Sequence, residues 1–294
     1  MRIRRWWAVM VAAVMLLGVR AGAQDANHIK DVVYAHKMGV ALTMDVFKPA
    51  KPNGIGVLWM VSGGWVSNHD SINLGLAKIF TDRGQTVFEV VHGSQPKFVL
   101  PEIIQDIHRA VRFVRTHAAD YGVDPDRLGI SGGSAGGHLS LMMGSYGGPG
   151  PANAKDMVDR ASSAVQAVAC FFPPTDFLNY GTEGKICLDE PMLKPFYHVF
   201  AVPETATREE KEKALRPLSP IYGALKQAPP TLIIHGEADT LVPIQQSERY
   251  LAALKEAGVE TKLERRPGKG HGWPGLEKDV VLLADWFDTH LGKK

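Results

Sequence analysis

The chain has 294 residues, of which 45% are hydrophobic and 22% are charged, and its formal net charge is +2. This is the composition of a globular protein with enough apolar residues for one large domain with a sizeable core. No basic run or patch indicates nucleic-acid binding, and neither a Cys/His cluster nor an H-E-x-x-H motif implies a bound metal.

Residues 1–23 have the pattern of a secretory signal peptide. Arg2, Arg4 and Arg5 precede an apolar run at 6–19, which is too short to span a bilayer comfortably. Ala21-Gly22-Ala23 then fits the small-x-small rule for signal cleavage. We therefore expect an exported protein, periplasmic or extracellular, with no stable membrane insertion after cleavage; an uncleaved anchor is the alternative. Without the four arginines of this segment, 29 basic residues face 31 acidic ones, so the mature net charge is near −2.

The predicted cleavage site gives the first residue of the mature chain. N-terminal sequencing of the exported protein is expected to start at or near Gln24, directly after the small-x-small site. A mature chain that still carries Trp6 and Trp7 would instead indicate a membrane-anchored protein.

Beyond the signal segment, apolar strand patterns alternate with helical ones. A hairpin is predicted at 32–34 and 42–47, buried strands are predicted at 55–61, 86–91 and 231–234, and further strands are predicted at 128–130, 164–172 and 261–265. Helices are predicted at 72–83, 101–121, after residue 134, at 244–257 and at 280–291. This alternation is typical of an α/β fold, in which helices cover both faces of a mostly parallel central sheet, here with an N-terminal antiparallel hairpin. We expect a single domain over residues 24–294.

Residues 178–223 interrupt the alternation. The stretch is loop-rich and contains one charged helix, which begins at a capping box formed by Thr207 and Glu210. An excursion between two core strands is a suitable place for a lid or a substrate-shaping insert, and a plain surface connection is the alternative.

The chain has two cysteines, Cys170 and Cys187. An exported protein can join such a pair in a disulfide. Because Cys170 lies in an apolar strand pattern, a buried free thiol is the other interpretation.

A nucleophile-elbow motif follows the strand predicted at 128–130. Gly132-Gly133-Ser134-Ala135-Gly136 fits G-x-S-x-G, in which the serine occupies a strained turn between a strand and a helix. Gly132 and Gly136 leave room where the strand and the helix cross, since a side chain at either position would crowd them. We therefore predict Ser134 as a nucleophile and the Ala135 amide as a donor to a developing oxyanion. A glycine-rich turn with an incidental serine is the alternative.

A serine nucleophile needs a base within hydrogen-bond reach. Of the eleven histidines, His271 stands between glycines in a loop after the last predicted strand, which favours it as the base. His92 and His198 remain as alternative candidates for the base. His138, inside the elbow helix, and His235, at a strand end, are interpreted as structural.

The base in turn needs a carboxylate that fixes its tautomer. Asp239 lies just past the end of the strand at 231–234 and is the predicted acid. Asp176 follows the preceding strand and is its rival, because some hydrolases place the acid there. The resulting order along the chain, Ser134, Asp239 and His271, is that of the α/β-hydrolases.

With these residues, the chain resembles an α/β-hydrolase of the esterase/lipase type. The segments Ser134-Ala135-Gly136-Gly137-His138 and His235-Gly236-x-x-Asp239-x-x-Val242-Pro243 are similar to those of small secreted carboxylesterases related to feruloyl and acetylxylan esterases. The similarity covers nearly all of the mature chain. It implies acyl-enzyme hydrolysis of short acyl esters without a cofactor. The implied substrates are small-molecule or polysaccharide esters, with acetyl and feruloyl esters of plant polysaccharides as candidates.

The chain departs from this family in the loop after its third strand. The family usually has H-G-G-G-W there, whereas this chain has Val61-Ser62-Gly63-Gly64-Trp65. Backbone amides that bind an oxyanion do not require the missing histidine, so Gly63 or Gly64 remains a predicted donor beside Ala135. A glycine turn next to a core tryptophan is the alternative.

Two tryptophans flank the predicted site. Trp65 lies beside the predicted oxyanion glycines and Trp273 lies beside the base, so both are predicted to form aromatic walls for the substrate, with ordinary core packing as the alternative. The charged helix of the 178–223 insert does not have the character of a broad apolar lipase lid. These features favour short acyl groups over long-chain triglycerides.

Two other functions are compatible with the resemblance. Serine peptidases of the prolyl-oligopeptidase type share this catalytic domain, but they usually add a propeller, for which this chain has no segment of sufficient length. Non-catalytic binding proteins on the same fold typically lose a triad residue, and all three are present here. A carboxylesterase is therefore the preferred interpretation.

Overall fold

A computed structural model describes residues 27–293 of the chain. The predicted signal peptide lies outside the described residues and stays a prediction. Within residues 27–293, no helix is both long and apolar enough to cross a membrane.

An eight-stranded sheet forms the centre of the molecule. Its strands are β1 (His28–Lys37), β2 (Val40–Phe47), β3 (Gly54–Met60), β4 (Thr86–Val90), β5 (Val123–Gly132), β6 (Ala167–Phe171), β7 (Thr231–Gly236) and β8 (Thr261–Arg266). They lie in the order β1-β2-β4-β3-β5-β6-β7-β8. β1 and β2 form an antiparallel hairpin and β2 pairs antiparallel with β4, while β3 to β8 are all parallel. The predicted mostly parallel sheet with an N-terminal antiparallel hairpin is confirmed.

Helices cover both faces of the sheet. They are α1 (Leu74–Thr81), α2 (Leu100–Thr116), α3 (Ala135–Tyr146), α4 (Met157–Arg160), α5 (Arg208–Leu215), α6 (Gln245–Glu256) and α7 (Val280–Leu291). Buried side chains of α2, α3 and α6 form one core with the sheet, and those of α1 and α7 form a second core on the opposite face. Leu58 belongs to the first core and its neighbour Val57 to the second. Burial on both faces is why the segment at 55–61 is an unbroken apolar run.

The boundaries of two predicted segments next to the elbow differ from the structure for identifiable reasons. The helix predicted at 101–121 ends at Thr116, and a 3-10 turn, Ala118–Tyr121, leads to Gly122 in the left-handed conformation (φ +69°). The strand predicted at 128–130 is longer, because β5 already begins at Val123 and its pairing with β3 jumps from Gly54↔Val123 to Gly56↔Leu128. The extra residues bulge out of the ladder, so the strand continues past them.

The 178–223 insert is made mainly of 3-10 turns and α5. The predicted capping box is present, since Thr207 N donates to Glu210 Oε2 (2.7 Å) and Glu210 N donates to Thr207 Oγ1 (3.3 Å). Tyr180 OH donates to Leu241 O (2.7 Å), which ties the start of the insert to the segment after β7.

Cys170 and Cys187 are both buried free thiols. Burial raises the pKa of each thiol above its ordinary value. The disulfide interpretation is therefore wrong, and the apolar surroundings of Cys170 explain why a buried cysteine suits that strand.

Glu89 is a buried carboxyl group in the middle of β4. Asn73 N donates to its Oε2 (2.8 Å), and its Oε1 has no hydrogen-bond partner among the described residues. Asp45 lies directly opposite on β2. Burial raises the pKa of Glu89 from 4.5 to about 7, the Asn73 hydrogen bond opposes this, and the charge of Asp45 adds to it.

This raised pKa makes the free energy of unfolding depend on pH. Glu89 holds its proton more tightly in the folded chain, so its stabilising contribution is complete below about pH 4.5 and is lost as the pH rises through about 7. Since one pKa unit corresponds to about 1.4 kcal/mol, the contribution is on the order of 3 kcal/mol. Urea unfolding at about pH 5 and about pH 8 is expected to show a larger loss of stability in the wild type than in Glu89→Gln. Equal losses in the two proteins would contradict this.

Candidate active site

Ser134 occupies the turn between β5 and α3 in a strained conformation, with φ +54° and ψ −118°. A Cβ on Gly132 would lie 2.7 Å from the carbonyl carbon of Gly136, and a Cβ on Gly136 would lie 2.7 Å from Met60 O. Only glycine fits at these two positions. The strained backbone persists because the surrounding chain fixes it, including a hydrogen bond from Ser134 N to Phe171 O (3.0 Å).

The structure brings Ser134, His271 and Asp239 together in one chain of hydrogen bonds. His271 Nδ1 lies 2.7 Å from Asp239 Oδ2, and His271 Nε2 lies 2.8 Å from Ser134 Oγ. Because a carboxylate can only accept, Nδ1 carries the proton and Nε2 accepts from the Ser134 hydroxyl. The three residues come from the ends of three different strands, since β5, β7 and β8 all finish at the same edge of the sheet.

Asp239 is held as a carboxylate although its side chain is fully buried. Burial alone would raise the pKa of Asp239, but hydrogen bonds from His235, His271 and Val242 N outweigh it and hold this pKa well below its usual range. Leu241 N (3.0 Å) and Val242 N (2.9 Å) both donate to Oδ1. The carboxylate is therefore ionised and fixed in orientation at neutral pH.

His235, interpreted from the sequence as structural, contacts the same carboxylate. Its Nε2 faces Val242 O (2.9 Å) and Asp239 Oδ2 (3.2 Å), both acceptors, so Nε2 carries the proton. Ser247 Oγ lies 2.7 Å from the other ring nitrogen and donates to it. The spacing of four residues between His235 and Asp239 was the available signal.

The rival acid, Asp176, is directed elsewhere. Its carboxylate accepts from Tyr222 OH (2.9 Å) and Asn179 Nδ2 (2.9 Å), and Arg249 NH2 lies 3.3 Å away. These partners belong to the insert and to α6, so Asp176 anchors the insert, and Asp239 is the carboxylate on His271.

The other candidate histidines have different surroundings. His198 is exposed on the insert. His92 is buried, with Nδ1 on Gly93 O (2.7 Å) and Nε2 on Ser62 Oγ (2.8 Å). His138 packs inside the core, as its position in the elbow helix predicted, with Trp65 Nε1 donating to its Nδ1 (3.3 Å).

The two glycines of the loop after β3 are not equivalent. Gly63 N donates to Val66 O (3.0 Å) and Val66 N donates back to Gly63 O (2.9 Å), so the Gly63 amide is engaged in a tight turn. Gly64 follows with φ +55°. A Cβ at Gly64 would lie 2.4 Å from the Phe196 ring, so glycine is required here as well.

A cavity of about 480 Å³ opens beside Ser134. Its lining includes Ser134, Ala135, His271, Gly63 and Gly64, together with side chains from the insert, namely Tyr180, Leu193, Phe196 and Phe200. The wall is mainly apolar and aromatic. The 178–223 insert thus contributes directly to the shape of the cavity.

The two predicted tryptophan walls have different positions. Trp65 lines the cavity and is nearly buried, with its ring edge-on to Phe177, Phe196 and Phe200. Among the described residues, Trp273 does not line this cavity. Its ring packs against Phe171 and Phe172, and its Nε1 donates to Asp279 Oδ2 (2.9 Å). The core-packing alternative therefore describes Trp273 better, because the hydrogen bond to Asp279 turns the indole towards α7.

One family model and several curated proteins are similar to this chain in sequence. The model of the BD-FAE family matches residues 44–254. LipM of Mycobacterium tuberculosis, a probable carboxylic ester hydrolase, is 29% identical over 244 residues, which are 81% of this chain and 54% of that protein. The chain spans about half the length of the curated relatives it matches.

Solved structures of esterases are similar over nearly the whole chain. A truncated carbohydrate esterase from gut microbiota has a TM-score of 0.75 and 26% identity, covering 93% of this chain and 99% of that one. A thermophilic esterase from Thermogutta terrifontis, solved with butyrate bound, has a TM-score of 0.70 and 26% identity, covering 88% of this chain and 93% of that one.

Proposed function

Because the chain belongs to the BD-FAE family and has the α/β-hydrolase fold of esterases, we propose that it is a serine ester hydrolase with Ser134, His271 and Asp239 as its catalytic triad. The observation that carries the proposal is the continuous hydrogen-bond chain from Asp239 through His271 to Ser134, with distances of 2.7 and 2.8 Å. Such a chain ends on a hydroxyl that faces a cavity large enough for an acyl ester.

The reaction follows from this geometry. His271 Nε2 takes the proton of Ser134 while Oγ attacks the ester carbonyl, and Asp239 stabilises the imidazolium without accepting its proton. The tetrahedral intermediate collapses, the alcohol leaves with the proton from His271, and the acyl group remains on Ser134. Water then attacks the acyl-enzyme by the same route and releases the acid.

The oxyanion is assigned to two backbone amides. Ala135 N lies at the start of α3, where the helix dipole favours negative charge. Of the two loop glycines, Gly64 is the assigned second donor, because the Gly63 amide already donates to Val66 O. Both assigned residues line the cavity beside Ser134.

The substrate is assigned as a short acyl ester, with acetyl and feruloyl esters of polysaccharides as candidates. The solved relatives named as a carbohydrate esterase and as a butyrate-bound esterase support this class. The N-terminal sequence pattern predicts export, which would place such a polymer within reach.

A chain-length series tests the assigned substrate class. kcat/KM on p-nitrophenyl esters is expected to be highest for acetate or butyrate and to fall at least about tenfold by laurate, which is about 1.4 kcal/mol of transition-state binding. The reason is that the rings of Phe196 and Phe200, packed edge-on against Trp65, occupy the cavity wall, and we expect them to restrict a twelve-carbon chain more than a butyryl group.

Two variants test that reason. Phe196→Ala is expected to raise the rate on laurate relative to butyrate, whereas Phe113→Ala, on α2 and stacked on His117, should leave the ratio unchanged. A wild-type profile that rises up to palmitate would indicate a lipase. Faster cleavage of proline-containing dipeptide amides than of esters would indicate a peptidase.

A further inference from the structure

Two loops run side by side next to Ser134. The oxyanion loop, residues 62–67, follows β3, and the support loop, residues 92–95, follows β4. The two strands are paired in parallel up to Met60↔Val90, and Val61 N extends the pairing by donating to Val90 O (3.1 Å). The loops therefore leave the sheet together.

Serine side chains join the far end of the oxyanion loop to the support loop. Ser67 N donates to Ser94 Oγ (2.7 Å), and Ser94 Oγ donates back to Ser67 O (2.7 Å). His92 N donates to Ser67 Oγ (3.2 Å). At the near end, Ser62 Oγ donates to His92 Nε2 (2.8 Å). Burial lowers the pKa of His92 to about 4, so its ring is neutral and acts there as a fixed acceptor.

Gln95 holds the middle of the oxyanion loop. Gly64 and Trp65 are two successive residues with positive φ, +55° and +59°, a conformation that is costly for tryptophan. The carbonyls of both residues accept hydrogen bonds from Gln95, that of Gly64 from the side-chain Nε2 (2.6 Å) and that of Trp65 from the backbone N (3.2 Å). A strained backbone persists only where its surroundings fix it, and Gln95 supplies both contacts.

The side-chain contact bears directly on the oxyanion donor. The carbonyl carbon and the amide nitrogen of Gly64 are both bonded to its Cα. A hydrogen bond that fixes the carbonyl therefore limits rotation of Gly64 about its backbone dihedral angles. On the other side, the Phe196 ring packs against the Gly64 Cα. An oxyanion hole is effective because its donors are oriented before the charge develops, and a small rotation of the donor forfeits that advantage.

We propose that Gln95 is a positioning residue for the oxyanion hole, whose side-chain amide holds Gly64 in the orientation that directs its N–H at the substrate. This inference rests on the proposed ester-hydrolase function. Gln95 has no contact with the reacting atoms in this role and acts through Gly64.

Gln95→Glu is the sharpest test, because it keeps the size of the side chain and replaces the N–H donor by an acceptor. kcat on p-nitrophenyl butyrate at neutral pH is expected to fall at least about tenfold, up to the 10²–10³-fold that loss of an oxyanion donor costs, with KM changed less than about twofold. The Ki of a trifluoromethyl ketone, whose adduct with Ser134 carries an oxyanion, is expected to rise by a similar factor. A protonated carboxyl can donate, so the deficit relative to the wild type is expected to shrink at acid pH.

Two further variants separate positioning from general destabilisation. Gln95→Ala retains the backbone contact to Trp65 and is expected to lower kcat by a similar factor. Gln85→Ala removes a buried glutamine that donates to Ala284 O (3.1 Å) and Asp288 Oδ1 (2.8 Å) on the α7 face, and it should leave kcat unchanged. Rates are normalised to the folded fraction of each variant, measured from its urea-unfolding curve, so partial unfolding does not mimic the effect.

The outcomes distinguish failure of the proposed ester-hydrolase function from failure of the proposed role of Gln95. A wild-type protein without esterase activity would overturn the proposed function itself. An active wild type whose Gln95→Glu and Gln95→Ala variants keep kcat and the Ki of the ketone would overturn the role of Gln95 alone.

Discussion

Replacing Ser134 by alanine is expected to lower kcat for ester hydrolysis on the order of 10⁶-fold, because no other group can form the acyl-enzyme at this position. The measurement is steady-state hydrolysis of p-nitrophenyl butyrate by purified protein. Folding should be retained, because the Ser134 hydroxyl hydrogen-bonds to His271 and faces the cavity, so its removal leaves the packing of the core unchanged.

Ser145→Ala is the matched control for this variant. Ser145 lies buried at the far end of α3, the helix that Ser134 precedes, and its hydroxyl contacts Tyr250 OH (2.8 Å). Its loss should affect stability and leave kcat near the wild-type value. An Ser134→Ala protein that retains more than a small fraction of the wild-type rate would remove Ser134 from the mechanism.

Replacing Asp239 by asparagine is expected to lower kcat roughly 10⁴-fold with the fold intact. The asparagine amide cannot hold the His271 proton on Nδ1, so Nε2 is no longer free to accept from Ser134. Leu241 N and Val242 N donate to Oδ1, so the asparagine oxygen is expected there and its NH2 group at the position of Oδ2. His271 and His235 both face Oδ2 and would therefore lose their acceptor.

Asp176→Asn is the control for the acid. Its carboxylate bonds to Tyr222 and Asn179, so the variant should lose stability in the insert while kcat falls much less than in Asp239→Asn. A reversed order of the two losses would mean that the carboxylate after β6 supports the base.

The nucleophile elbow could be predicted because its constraints are local. The requirement for glycine at 132 and 136 comes from the crossing of β5 and α3, which are adjacent in the sequence. The meeting of Ser134, Asp239 and His271 could be expected because each follows a predicted strand, and parallel strands bring their carboxyl ends to one edge of the sheet.

The remaining features depend on contacts between distant segments. The hydrogen bonds from Gln95 to Gly64 and Trp65 join two loops whose relation is set by the pairing of β3 with β4. The Gly63 amide could not be distinguished from that of Gly64 without the tight turn to Val66. Phe196 and Phe200 of the insert lie in a 3-10 segment, Pro191–Phe200, and such segments have no long periodic pattern in the sequence.

Trp273 illustrates the limit of reasoning from neighbours in the sequence. It is two residues from His271, yet its ring lies against Phe171 and Phe172 and its indole N–H bonds to Asp279. Trp65, by contrast, lies within the tight turn from Gly63 to Val66 and lines the cavity, where Phe196 and Phe200 of the insert pack against it.

Labelling with a fluorophosphonate, followed by peptide mapping of the adduct by mass spectrometry, tests the covalent role of Ser134 most directly. The reagent phosphonylates only a serine that a neighbouring base has activated and that an oxyanion site faces. Label is expected on Ser134 alone in the wild type and is expected to be absent from Ser134→Ala. Label on another serine, or label that survives Ser134→Ala, would contradict an ester hydrolase that acts through Ser134.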